Sequence, residues 1–303
     1  MTQFEIQPRG PFSLAAAERF FGRWEATSGA AGGAWAPAPA PAPAGGETVL
    51  RVAFLTDDWS GAAGLLVRQA SGDLSAPVNG EIVAGSFADD EVVQRQVARL
   101  LSLDHEGAGF VAVGERDPVV AVCQRAGDFL RPVLFHSPYE AACWAVISSR
   151  MHHRQARRVR SEMGGTLTVD AVALDVFPGP EDLLARDAIP GLNAEKVARL
   201  HGIARAALEG RLDRERLLAL EAGEAMADVQ ELRGIGPFGA ALIVLRGVGP
   251  TDAFAPGEPR LRAAAARVYD RPELGSDEAA FAELAERWRP FRTWVSVLLR
   301  ATG

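Results

Sequence analysis

The sequence predicts an α+β protein: a small, mostly antiparallel α/β domain at the N-terminus, then an all-helical region built around a helical hairpin. Three observations carry this. Strand-like runs are concentrated in the first third of the chain, helical apolar spacing dominates after Asp117, and a glycine turn joins two helical patterns at Leu232-Arg233-Gly234-Ile235-Gly236-Pro237.

Phe4–Pro8 reads as an opening strand, and Ser13–Trp24 as a helix with Ser13 as its cap. Residues 29–46, GAAGGAWAPAPAPAPAGG, interrupt the pattern. Alternating Ala-Pro builds neither helix nor ladder, so this stretch is read as a flexible extended insertion with no function assigned. Thr48–Asp57, Gly64–Gln69 and Glu81–Phe87 are strand-like runs separated by Gly, Asp, Ser and Pro. Asp90–Leu103 places Val92, Val93, Val97, Leu100 and Leu101 on one helical face. Residues 1–116 are therefore expected to form the first domain.

From 117 to 303 the spacing predicts helices at Pro118–Ala126, Pro138–Arg150, Arg154–Met163, Ala194–Glu209 and Arg214–Leu220. Others follow at Glu224–Leu232, Pro237–Arg246, Pro259–Tyr269, Asp277–Trp288 and Pro290–Leu299, with one extended excursion at Thr166–Phe177. The expected arrangement is two helical subdomains with the hairpin at 225–247.

With 303 residues, 48% of them hydrophobic, the chain is long enough for more than one core. It has no apolar run of membrane-spanning length, so no membrane partner is expected. The N-terminus lacks the basic and apolar regions of a signal peptide. Cys123 and Cys143 have neither metal-ligand spacing nor a disulfide framework. The expected setting is a reducing cytoplasm. Net charge is −7, but it is unevenly spread: residues 1–136 carry 10 basic and 16 acidic groups, and residues 137–303 carry 22 and 23. The hairpin half is thus nearly neutral, and a nucleic-acid partner stays open to it.

At the hairpin, Gly234 and Gly236 permit backbone that a Cβ disfavours and clear the approach to the turn. Pro237 suits the first position of the second helix, which is expected to end near Gly247. Amides at that helix N-terminus point outward with partial positive charge and suit one phosphate. An ordinary close helix crossing would use the same glycines.

Four segments in this order resemble the helix-hairpin-helix DNA glycosylases of base excision repair, and most closely the bacterial 3-methyladenine-DNA glycosylase II, or AlkA, type. They are SPYEAACWAVISSRMHHRQARRV at Ser137–Val159, IPGLNAEKVARLHGIARAALEG at Ile189–Gly210, the hairpin with its sequel to Arg262, and ERWRPFRTWVSVLL at Glu286–Leu299. The resemblance covers roughly residues 4–301 apart from the Ala-Pro insertion.

The resemblance implies double-stranded DNA with damaged bases as partner, and cleavage of the N-glycosidic bond of a base turned out of the duplex. The family's essential aspartate matches Glu258, which keeps the charge with one more methylene. The alternative role for Glu258 is to complement the dipole of the helix that Pro259 opens. Asp252 is the second carboxylate in reach. Bifunctional relatives carry a Schiff-base lysine where Phe238 stands, so hydrolysis without a lyase step is expected. Phe238, Leu242 and Arg300 match the base pocket; Arg300 would repel a cationic base if it faced inward.

By the same resemblance, the amides of Gly234, Gly236 and Gly239 hold a phosphate. The backbone carbonyls of Gln230, Leu232 and Ile235 match those that hold a structural monovalent cation, and no other cofactor is implied. Arg150 falls where relatives fill the gap left by the extruded base. His152 follows it toward the phosphates, and a solvated basic helix face is the alternative for both. The expected protein is a monomeric, nucleoid-associated hydrolase, a monofunctional glycosylase for alkylated or otherwise damaged bases. The rival is a catalytically weak or inactive DNA-binding protein of the same fold.

Overall fold

The computed structural model describes residues 2–25, 46–255 and 257–302. All but Gly46 of the 29–46 insertion lies outside the described residues.

The N-terminal layer is a four-stranded antiparallel sheet in the order β1-β4-β3-β2, from β1 (Gln3–Ile6), β2 (Glu47–Leu55), β3 (Ala62–Ala70) and β4 (Val78–Ser86). β2 follows the period of two: Thr48, Leu50, Val52 and Phe54 are buried, while Glu47 is exposed and Arg51 half-buried. These side chains pack on α1 (Leu14–Glu25) and α2 (Asp90–Leu100) through Leu14, Ala17, Val93, Val97 and Leu100. Ser13 caps α1, its Oγ accepting the Ala16 N–H at 3.1 Å.

Next come α3 (Ala108–Arg116), α4 (Pro118–Ala126), α5 (Pro138–Ser148) and α6 (His153–Met163). The first of these has no counterpart in the predicted elements. Asp117-Pro118 and Ser137-Pro138 are start signals read correctly: the Asp117 carboxylate accepts from Val119 N at 3.1 Å, and Ser137 Oγ from Glu140 N at 3.0 Å. The extended excursion is a β-hairpin, β5 (Gly165–Val169) and β6 (Val172–Val176), turned at Asp170 and Ala171 with φ of +48° and +62°. It lies against the N-terminal sheet, with Val169 over Gly64 and Asp170 paired to Arg51.

The rest is helical: α7 (Pro180–Leu184), α8 (Ala194–Leu208), α9 (Arg214–Leu218), α10 (Ala222–Gln230), α11 (Pro237–Leu242), α12 (Pro259–Val268), α13 (Glu278–Glu286) and α14 (Arg292–Thr302). The second hairpin helix ends beside Gly247, as expected, at Val248. At Ile243 it widens into a π-helical turn, Ile243–Val248, closed by Gly249 at φ +80°. Gly247 sits where a Cβ would come within 3.0 Å of Pro138 Cα and Ala141 Cβ, so the turn packs closely on α5.

Two cores serve the helices. One is centred on α5, α8 and the hairpin; the other joins α3 and α4 to α12–α14 around Trp288 and Trp294. Arg131 ties the layers together. It is fully buried, lies over Phe12 and Trp294, and donates to the carbonyls of Arg9, Gly10, Pro11 and Ser102. Burial pushes its pKa down to about 10.

Candidate active site and DNA interface

The hairpin is built as its glycines require. α10 opens with a capping box between Glu221 and Glu224, and its end tightens through Leu232 N to Val229 O at 3.2 Å and Ile235 N to Leu232 O at 3.0 Å. Gly234 holds φ +97°. Gly236 caps α11 at φ −93°, exposed, with no atom within 4 Å of the place a Cβ would take. Gly239 is instead buried against Ala145 and Ile235. The Leu232 carbonyl keeps one lone pair beyond its bond from Ile235, as a cation ligand would need. Phe238 is 75% exposed, and Leu242 is half-buried against the first core.

Beside the hairpin, α5 ends in the loop expected to enter DNA. Arg150 is exposed and held at φ +51°, a conformation uncommon for a side chain with a Cβ. His152 caps α6, its Nδ1 accepting from Arg154 N at 3.3 Å, and His153 meets Trp144 edge-on at 5.2 Å. Lys196, the sole lysine, reaches across from α8 and donates to the carbonyls of Ile147 at 2.8 Å and Ser149 at 2.7 Å. Burial, then the charge of Arg199, pushes its ammonium pKa down.

Glu258 heads α12. Its carboxylate accepts from Arg260 N at 3.1 Å and Leu261 N at 2.8 Å, and Arg300 Nη1 stands 3.8 Å away. Asp252 is committed elsewhere, to Arg289 at 2.7 Å and Arg292 at 2.8 Å, where it fixes the loop before α12 to α14.

A cavity of about 800 Å³ opens between α1, β2, α5, α6, β6 and the π-helical turn. Its aromatic walls include Phe20, Phe135 and Trp144, and its cations include Arg154, Arg157 and Arg246. Glu140 is buried in one wall between His136 (Nδ1 at 2.9 Å) and Arg160 (Nε at 3.1 Å). Burial pushes the Glu140 carboxyl up, but Arg160 and His136 together override it and hold the group well below the usual carboxylate range. Arg246, on the π-helical turn, lays its guanidinium over Phe20 at 5.0 Å and donates to the Val133 carbonyl. Burial, and then the charge of Arg300, lowers its pKa to about 10.

No protein-family model matches the chain. It is 25% identical over 165 residues to the DNA-3-methyladenine glycosylase of Bacillus subtilis (strain 168), covering 52% of this chain and 54% of that one. It is 28% identical over 230 residues to a probable bifunctional transcriptional activator/DNA repair enzyme AlkA of Mycobacterium tuberculosis (strain H37Rv), covering 73% and 45%. The chain spans about half the length of these curated relatives. The fold is similar to the 3-methyladenine DNA-glycosylase from Archaeoglobus fulgidus, with TM-score 0.69 at 19% identity over 99% of this chain and 97% of that one. The chain therefore shares the fold of that solved structure. Its sequence relatives are of the AlkA-like type.

In this chain the expected site residues stand in separate places. Of those named from sequence, His152 lines the cavity, whereas Glu258, Phe238, Leu242, Arg300 and Arg150 are outside its lining. Phe20, Phe135, His136, Trp144 and Arg246 were not singled out as site residues. The residue before Ser137-Pro138 and an arginine in the hairpin's second helix were the available signals, and neither is specific without the fold.

Proposed function

We propose that this protein is a monofunctional DNA glycosylase, releasing alkylated or otherwise damaged bases from double-stranded DNA at the start of base excision repair. Water adds to the deoxyribose C1′ as the bond to the base breaks, and the sugar passes through an oxocarbenium-like state. The observation that carries the reading is the Glu258 carboxylate, fixed by two backbone N–H groups at the head of the helix that follows the hairpin. A fixed negative charge beside the sugar stabilises its developing positive charge.

The other parts fit that reaction. Exposed Gly234 and Gly236 would take a phosphate, Arg150 the gap in the stack, and the cavity the base; about 800 Å³ lies within the roughly 300–1,000 Å³ of small-ligand sites. No lyase step is proposed, because Phe238 stands where bifunctional relatives carry the Schiff-base lysine and the Lys196 ammonium is held at the end of α5. The names of the sequence relatives support DNA as the substrate. A monovalent cation at the hairpin carbonyls, a monomeric state and a place at the nucleoid complete the proposal. Among the described residues, no helix is long and apolar enough to cross a membrane.

The test is base release from methylated duplex, with protein in excess and one turnover observed. Glu258→Gln keeps an oxygen for the cap but removes the charge, so base release should fall on the order of 10²–10³-fold with little change in stability. Equal release by the variant removes Glu258 from the chemistry. One observation favours a second reading, a DNA holder that does not cleave: Arg300 already partners the carboxylate. That reading requires salt-dependent DNA binding with no base released at all.

A further inference from the structure

We propose that Thr293 is a positioning residue for base release: through the loop between the hairpin and α12, it sets where the Glu258 carboxylate stands relative to the hairpin. The inference rests on the glycosylase reading and adds to it a buried residue that acts through another.

Glu258 needs two kinds of support. Its bonds from Arg260 N and Leu261 N fix the carboxylate to α12 alone. They do not set its distance from the hairpin, whose second helix ends at Val248 on the far side of the loop. The path of the loop sets that distance. At its near end the loop is held by His105, whose Nε2 donates to the Gly249 carbonyl at 3.0 Å. Further along, it is fastened to the start of α14.

The fastening is reciprocal. Thr293 is buried; its Oγ1 accepts the Ala253 N–H at 2.9 Å and donates to the Ala253 carbonyl at 3.0 Å. Its own N–H, one of those that open a helix without an internal partner, goes to the Thr251 carbonyl at 3.0 Å. Between these bonds, the Asp252 carboxylate takes the Arg292 N–H at 3.3 Å as well as the Arg289 and Arg292 guanidinium groups. The loop thus caps α14, and α14 pairs both polar groups of Ala253. Phe254 follows, packed on Phe281 at 5.3 Å with the Arg292 guanidinium 5.9 Å from its ring. The next residue, Ala255, offers its carbonyl to Glu258 N at 3.2 Å. The route from Thr293 to Glu258 therefore runs through a buried hydroxyl, a pinned Ala253, a packed ring and the turn that starts α12. A methyl in place of the hydroxyl would leave the buried N–H and C=O of Ala253 unpaired and free the loop from this one register.

Single-turnover base release from methylated duplex tests this, with affinity for duplex carrying an abasic analogue measured alongside. Thr293→Val keeps the shape and loses the hydroxyl, so release should slow about tenfold or more while affinity changes less than about twofold. Thr293→Ser, which restores the hydroxyl, should recover most of the rate. In the Glu258→Gln background, where the charge is gone, Thr293→Val should slow the residual release by less than about twofold. Equal slowing in both backgrounds, a matching loss of affinity, or release at the wild-type rate overturns the positioning role and leaves the glycosylase reading standing. A wild-type protein that releases no base overturns the glycosylase reading, and this inference with it. If Thr293→Val does not fold, Asp252→Asn loosens the other side of the same fastening and should slow release about threefold or more, again only where Glu258 is present. An equal loss in both backgrounds would make Asp252 a participant in its own right and overturn the inference.

Discussion

The guanidinium of Arg300 stands 3.8 Å from the carboxylate of Glu258, so the acid proposed to stabilise a cationic sugar already has a cation beside it. The two charges partly cancel at the sugar. Arg300 is nearly half exposed, which limits the effect to about 0.5–1 kcal/mol. Arg300→Gln should therefore raise release of cationic 7-methylguanine about two- to fivefold at low ionic strength. Added salt should narrow the gap between wild type and variant. A variant slower than wild type in single-turnover release would mean that Arg300 orients Glu258 instead of opposing it.

Gly234 and Gly236 look alike in the sequence but have different duties. A Cβ at Gly234 would meet Arg199 Cδ at 2.6 Å with the backbone at φ +97°, so Gly234→Ala should cost about 1–2 kcal/mol of stability. Gly236 has open space around it and an ordinary φ, so Gly236→Leu should change stability by less than about 0.5 kcal/mol. The new side chain would stand where a phosphate must come. Denaturation midpoints and duplex affinities measured on both variants check this. If Gly236→Leu binds duplex as wild type does, the anchor lies elsewhere.

Glu140 should make the protein acid-sensitive. Its folded pKa is depressed, so the stability it supplies is complete above the ordinary carboxylate range and is lost as pH falls below about 4. Glu140→Gln removes the buried negative charge that Arg160 and His136 share and should cost about 3–5 kcal/mol at pH 7. The deficit relative to wild type should shrink steadily from pH 5 to pH 3 in chemical denaturation. A constant deficit would show that the carboxyl does not titrate with unfolding.

The local signals in the chain were legible because each is a short-range rule. Cap-then-proline pairs at Asp117, Ser137 and Glu258 start helices where the sequence reading places them, and the alternation of β2 names its buried face. What could not be read depends on distant partners. Phe20 and Arg246 are 226 positions apart and meet only because α1 covers the π-helical turn. That turn itself is set by packing on α5, which no periodicity reports. Glu258 was legible as a helix cap from Pro259, whereas its Arg300 neighbour required the fold.

Lys196 is the case where the fold assigns work to a residue that seemed idle in sequence. Its ammonium holds the carbonyls of Ile147 and Ser149, groups left without helical partners where α5 ends, and Arg150 follows directly at φ +51°. The same first turn of α8 carries Glu195, which sits 3.9 Å from Arg233 of the hairpin turn, so one short segment touches both elements proposed to grip DNA. Lys196→Met should cost about 1–3 kcal/mol of stability, and Lys196→Arg should recover part of it. The effect on DNA should run through Arg150: in duplex with an abasic analogue, Lys196→Met should weaken binding several-fold in the wild-type background and less than twofold when Arg150→Ala is already present. Equal losses in the two backgrounds would mean that Lys196 only stabilises α5 and does not aim the loop.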